Sequence, residues 1–183
     1  DCVIQEPCGR NTAPAIALGL AFLLENGAEP SDVVLITPSD HVISDTGAFK
    51  TAMETAKIAA SSGQITTLGI IPSCPETGFG YIRAGQVNTS GYCDLERFVE
   101  KPDLETAKSY MAEGNYYWNG GMFIFRIMDM VKALEEHALE IGEPLEKGYD
   151  HLLSVFDTLP NISIDYAVME KLNKAAMVPL DAG

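Results

Sequence analysis

Apolar positions along the chain fall into blocks whose spacing switches between that of packed helices and that of covered strands. Residues 1–7, Asp-Cys-Val-Ile-Gln-Glu-Pro, form a short apolar stretch halted by Pro7 and predict the end of a strand. Gly9-Arg10-Asn11-Thr12 follows as a loop. Ile16, Leu20, Leu23 and Leu24 then recur at helical spacing, with Asn11 or Thr12 as N-cap, Pro14 in the first turn and Asn26-Gly27 as the stop. The opposite side of that helix is also rich in Ala and Leu, so it should be deeply packed. Val33-Val-Leu-Ile-Thr37 is a continuous apolar run, the pattern of a parallel strand covered on both faces. A helix capped near Asp45 and running to about Ala60 places Phe49, Met53, Ala56 and Ala60 on one face, and residues 65–71 give the next strand.

Beyond Ile71 the texture changes. Short strands around residues 79–83, 95–100 and 122–126 alternate with glycine-bearing turns and one helix, residues 104–113, capped by Asp103. Helices at about 128–140 and 145–156 precede a shorter one at 164–172, and a last strand covers 175–180. No internal repeat and no Ser/Gly-rich linker interrupts the series. The pattern predicts a single α/β domain over residues 1–183, with a mostly parallel sheet flanked by helices.

Composition narrows the function classes. The 183 residues are 46% hydrophobic and 21% charged, which excludes collagen-like, low-complexity and disordered chains. A formal charge of −14 repels phosphate backbones and argues against nucleic-acid binding. No apolar run reaches the ~20 residues that span a bilayer, and no basic segment with an apolar stretch opens the chain, so no membrane partner is expected and a cytoplasmic location is. Four cysteines, Cys2, Cys8, Cys74 and Cys93, show no Cys-x-x-Cys spacing and read as reduced thiols.

In open α/β sheets ligands collect at the carboxyl ends of strands. Three polar clusters occupy such predicted ends: Glu6 to Thr12, Ser39-Asp40-His41 and Glu100-Lys101. Glu6-Pro-Cys-Gly-Arg-Asn-Thr-Ala-Pro-Ala15, Pro38-Ser-Asp-His41, Pro75-Glu-Thr-Gly-Phe-Gly-Tyr-Ile82, Phe98-Val-Glu-Lys-Pro102, Trp118-Asn-Gly-Gly-Met-Phe123 and Ser163-Ile-Asp-Tyr-Ala-Val-Met-Glu-Lys171 occur in that order. Together they resemble the mannose-1-phosphate guanylyltransferases, a family of sugar nucleotidyltransferases. The resemblance spans nearly the whole chain. It implies a Rossmann-like nucleotidyltransferase fold, GTP and mannose 1-phosphate as substrates, Mg²⁺ as cofactor, and GDP-mannose and pyrophosphate as products. Homo-oligomerisation is compatible with it. The other readings are a nucleotidyltransferase for a different sugar 1-phosphate and a non-catalytic paralogue that senses nucleotide sugars.

By the same resemblance Asp40 is a catalytic metal ligand beside the α-phosphate; without it, Asp40 reads as a cap for the following loop. Lys101 is assigned to the sugar phosphate, where an ammonium suits an anionic nucleophile, and Glu100 to sugar hydroxyls. A surface ion pair is the plain alternative for these two. Neighbours on a regular strand face opposite ways, so Pro102, by ending the ladder and holding Lys101 extended, would let one ligand touch both. Gly78 and Gly80 flank Phe79, and their N–H groups would meet the hexose. Asn119 would bond a sugar hydroxyl, while Trp118 is either a core aromatic or a stacking platform. Gly120 stands where the family commonly has Ser or Ala.

Glu6, Gly9, Arg10, Asn11 and Thr12 resemble the guanine site: a carboxylate takes the N1 and N2 donors, and loop N–H groups or Arg10 serve O6. Such a site leaves its polar groups unpaired with adenine. Asn11 and Thr12 also suit capping. Asp165 is a further substrate-binding candidate, although a carboxylate in the first turn of a helix suits the helix dipole whatever its function. The family's glycine-rich Arg loop and its Trp-Ser-Asp-Val-Gly segment find no counterpart here, and Asp181 is not in that context. The chain therefore reads as a fragment, expected to be inactive or nearly so by itself.

Overall fold

The computed structural model describes residues 2–181. In chain order the elements are α1 (Thr12–Glu25), β1 (Val33–Ile36), α2 (Thr46–Ser61), β2 (Thr66–Ile70), β3 (Tyr81–Ala84), β4 (Cys93–Val99), α3 (Leu104–Glu113), β5 (Tyr116–Arg126), α4 (Ile127–His137), α5 (Leu139–Glu146), α6 (Tyr149–Ser154), α7 (Ile164–Ala167) and β6 (Ala176–Leu180). They group into two compact units. Of the described residues, the first comprises 2–32 and 126–172, and the second 33–125 and 173–181.

The first unit is helical. Asn11 caps α1 through its side chain, and Ala13, Ile16, Ala17, Leu18, Leu20 and Ala21 are buried. An apolar surface that wide is covered from several directions, by α4, α5, α6 and α7. The Glu25 carboxylate accepts the Tyr149 N–H at 2.8 Å, and the Phe22 and Tyr149 rings meet edge to face at 5.7 Å. Residues 2–6 form no strand and Val3 is 95% exposed, contrary to the expectation from their composition. β-propensity yields a strand only where a ladder partner is present, and none pairs with this segment among the described residues. The helix expected at 145–156 is likewise two, because Gly148 adopts φ 93° and interrupts the right-handed path.

The second unit is a sheet in the order β1-β5-β2-β6-β4-β3, with β3 also pairing β5. It is mixed rather than mostly parallel. β2 and β6 run parallel, whereas β2–β5, β3–β4, β3–β5 and β4–β6 are antiparallel. Residues 85–92 join β3 to β4, and so short a link makes a hairpin, since a parallel crossover needs about a dozen residues or more. β1 stands at the end of the strand order, so Leu35 remains 42% exposed and the run is only half-covered. Asp45 caps α2, whose Ala52, Ala56 and Ala60 pack on Leu68, Met122, Ile124, Val178 and Leu180. Those alanines let the helix lie close to the sheet and fix the strands that end at the cleft described next.

Candidate active site

Two strand ends and a bulge build a cleft in the second unit. Its volume is about 550 Å³, and Asp40, Ile70, Phe79, Trp118, Asn119 and Gly121 contribute to its lining. Asp40 follows β1 by a short turn and is exposed. Asn119 does not lie in a loop, as the glycines beside it suggest, but within β5, which begins at Tyr116. Between the pairs Gly69↔Asn119 and Thr67↔Phe123, β5 carries more residues than β2, so the strand bulges at Gly120-Gly121. Gly121 adopts φ 62°, a conformation that glycine takes without strain.

Gly80, Glu100, Lys101 and Asn119 converge beside this bulge. The Asn119 N–H donates to the Gly80 carbonyl at 2.8 Å. A Cβ on Gly80 would stand 2.6 Å from Glu100 Oε2 and 3.5 Å from Asn119 Cβ, so it would displace the Glu100 carboxylate from its present place. Glu100 lies just past β4, and Lys101 is not extended: its φ is 44°. Pro102 disfavours the right-handed helical region for the residue before it, and the chain reverses through the left-handed one instead. That reversal breaks the alternation of a strand and brings Lys101 Nζ to 3.1 Å from Glu100 Oε1. The two side chains thus meet as an ion pair through a turn, not through the extended backbone expected for Lys101.

The Gly78 N–H is engaged within its own turn. Glu76 Oε1 accepts the N–H groups of Thr77 and Gly78, each at 2.9 Å, and the Glu76 carbonyl accepts the hydroxyl of buried Tyr81. Phe79, 48% exposed, meets Trp118 edge to face at 5.2 Å. Trp118 thus belongs to the cleft wall, and its indole N–H is buried with no hydrogen-bond partner. Sequence reasoning places Glu76 and Phe79 within a motif without giving either a role.

Glu6, Gly9, Arg10, Asn11, Thr12 and Asp165 fall in the first unit. No strand precedes them among the described residues. Asn11 has φ 67°, which an Asn tolerates better than most residues. The Arg10 guanidinium donates to the Asp157 carbonyl, Thr12 Oγ1 accepts the Ile164 N–H at 2.8 Å, and the Ala13 N–H donates to the Ile162 carbonyl. These bonds seat the loop against residues 157–164 and bring Thr12 beside the turn that carries Asp165, in which Ser163 caps α7. Glu6 is half-buried and Gly9 exposed.

Among the described residues no group of three or more His, Cys, Asp or Glu side chains is placed to hold a metal ion. A hard cation bound through one or two carboxylates, with substrate phosphate oxygens and water completing its shell, needs no such cage. Asp40, exposed on the cleft, fits that donor chemistry as a protein ligand.

A family model described as Nucleotidyl transferase matches residues 2–161. The chain belongs to the nucleotidyl transferase family. The match runs through both units. Xanthan biosynthesis protein XanB of Xanthomonas campestris pv. campestris (strain B100) is 46% identical over 191 residues, covering 99% of this chain and 40% of XanB. The mannose-1-phosphate guanylyltransferase of Escherichia coli (strain K12) is 41% identical, covering 99% of this chain and 41% of that protein. The crystal structure of a Thermus thermophilus protein described as mannose-1-phosphate geranyltransferase is similar at a TM-score of 0.90 and 39% identity, covering 98% of this chain and 53% of that one. This nucleotidyl transferase chain spans about 40% of the length of the curated relatives it matches. Among its described residues no helix is long and apolar enough to cross a membrane.

Proposed function

We propose that this chain is the nucleotidyltransferase part of a mannose-1-phosphate guanylyltransferase, which makes GDP-mannose and pyrophosphate from GTP and mannose 1-phosphate. The observation that carries the reading is the convergence of Gly80, Glu100, Lys101 and Asn119 at one end of the sheet. A carboxylate, an ammonium and an amide so close together suit a phosphorylated hexose: Glu100 and Asn119 for its hydroxyls, Lys101 for its phosphate. The 41% identity to a relative named for this activity supports the same reading.

Nucleotidyl transfer is catalysed by positioning and by neutralising charge. The sugar phosphate oxygen attacks the α-phosphorus of GTP in line, and pyrophosphate leaves as the bond to the β-phosphate oxygen breaks. Lys101 draws the anionic nucleophile to the cleft and limits its repulsion from the triphosphate. Asp40 is the residue that would hold Mg²⁺, which supplies charge neutralisation at the α-phosphate when bound. Glu6 takes the guanine N1 and N2 donors. Arg10 spends one N–H on Asp157 and has others in its fork, which suit the O6 acceptor.

Saturation-transfer NMR with GDP-mannose tests this directly. Transfer to both guanine H8 and the mannose H1, with none to ADP-mannose, is the expected result. Transfer to the hexose irrespective of base, or to neither end, contradicts it. Asp40→Asn should bind GDP-mannose while losing the strengthening that Mg²⁺ gives the unchanged chain, and an unaltered response to Mg²⁺ would remove Asp40 from the metal site.

A further inference from the structure

We infer that Glu76 is a positioning residue for hexose recognition, holding the turn from Thr77 to Gly80 so that Phe79 faces the cleft as a platform for the sugar ring; the inference rests on the function proposed above. Phe79 stands between two glycines, Gly78 and Gly80, which restrict a backbone least. Without anchors, such a segment would spread its one large side chain over many directions, and ordering it would weaken every binding event. Three anchors remove that freedom. Glu76 Oε1 accepts the Thr77 and Gly78 N–H groups, each at 2.9 Å. The Glu76 carbonyl accepts the Tyr81 hydroxyl at 2.9 Å, and fully buried Tyr81 pairs with Val99 on β4 and Trp118 on β5. At the far end the Gly80 carbonyl accepts the Asn119 N–H. A Cβ on Gly78 would stand 3.3 Å from Glu76 Oε1, so a side chain there would crowd the carboxylate.

What the turn presents to the cleft is apolar. Phe79 is exposed, shares the cleft lining with Ile70, Trp118 and Met122, and meets Trp118 edge to face at 5.2 Å. A pyranose carries C–H groups on its ring faces and hydroxyls around its edge. A fixed aromatic ring takes those C–H groups out of water, while hydrogen-bonding groups elsewhere serve the hydroxyls. Among the described residues Glu76 is outside the cleft lining, so its effect on a ligand runs through the turn. The specificity contact is thus prepared by a carboxylate that the hexose does not touch.

Titration calorimetry with GDP-mannose and with GDP would compare the unchanged chain, Glu76→Ala, Glu76→Gln, Phe79→Ala, and Glu76→Ala combined with Phe79→Ala. Glu76→Ala should weaken GDP-mannose by roughly five- to tenfold, the effect of ordering about one residue's backbone during binding, and leave GDP unchanged. Glu76→Gln should restore binding, because an amide oxygen accepts the same two N–H groups; a carboxylate needed for its charge would not be replaced by an amide. Phe79→Ala should weaken GDP-mannose at least as much and spare GDP. In that background Glu76→Ala should cost nothing more, because both act through one ring. Equal weakening of GDP and GDP-mannose, no rescue by Gln, no loss in Phe79→Ala, or additive losses in the double variant would overturn the inference. If Glu76→Ala does not fold, Tyr81→Phe, which removes the anchor on the Glu76 carbonyl, carries the same comparison. Failure of the unchanged chain to prefer GDP-mannose over UDP-glucose would instead overturn the function on which the inference rests.

Discussion

Gly80 is where a single side chain decides the site. Any Cβ there enters the space of the Glu100 carboxylate, which is held from its other side by Lys101. Gly80→Ala should push Glu100 out of position and weaken GDP-mannose by roughly 10- to 100-fold, the range for a hydrogen bond to a charged group. Its melting temperature should barely change, because the displaced atom is the far end of a flexible side chain. Calorimetry with thermal melts checks both halves. Cys93 shows the opposite behaviour, a reactive group made inert. Burial, then the carboxylates of Asp94 and Glu96, push its thiol up to about 11, and its Sγ lies 3.3 Å from the Met177 carbonyl. In the unfolded chain the thiol ionises nearer its ordinary 9.0, so its share of stability is complete below that pH and is lost as pH rises toward 11. Iodoacetamide at mildly alkaline pH should label exposed Cys2 and Cys74 and spare Cys93 until the chain unfolds.

Helix boundaries set by side-chain chemistry were legible in the amino-acid order, while pairing partners were not. Asp45 and Asp103 cap α2 and α3 through bonds to Ala48 and Thr106, as expected from their positions in the sequence. The Thr106 N–H holds the Asp103 carboxyl below its ordinary 3.8. Asp103 therefore stabilises α3 above that pH, and the contribution disappears as pH falls through the lowered value. Asp103→Ala should melt earlier than the unchanged chain at neutral pH, and the gap should close in acid; a gap independent of pH would assign the effect to helix propensity. The strands were harder to place. Gly120-Gly121 signals a turn locally, yet the pair sits inside β5 because Thr67 and Asn119 satisfy the bulge from the side. Residues 2–6 carry strand composition without a strand, since pairing is a property of the neighbour as much as of the segment. Lys101 shows the same limit at one residue: proline restricts its backbone, but the left-handed choice comes from the turn as a whole.

At the scale of the molecule, the ordered motifs mark the family without fixing the sheet directions. Short polar motifs are tied to ligand chemistry, whereas parallel and antiparallel strands share one hydrophobic alphabet. Hexose-binding candidates lie in the sheet-containing unit and base-binding candidates in the helical one. The central claim is that this chain recognises a guanine nucleotide joined to mannose. Isothermal titration of GDP-mannose, with and without Mg²⁺ and with UDP-glucose as control, tests it most directly. The account predicts saturable binding of GDP-mannose, strengthened by Mg²⁺, and none of UDP-glucose in the same range. Equal binding of both nucleotide sugars, or no binding to a chain shown to be folded, would contradict it.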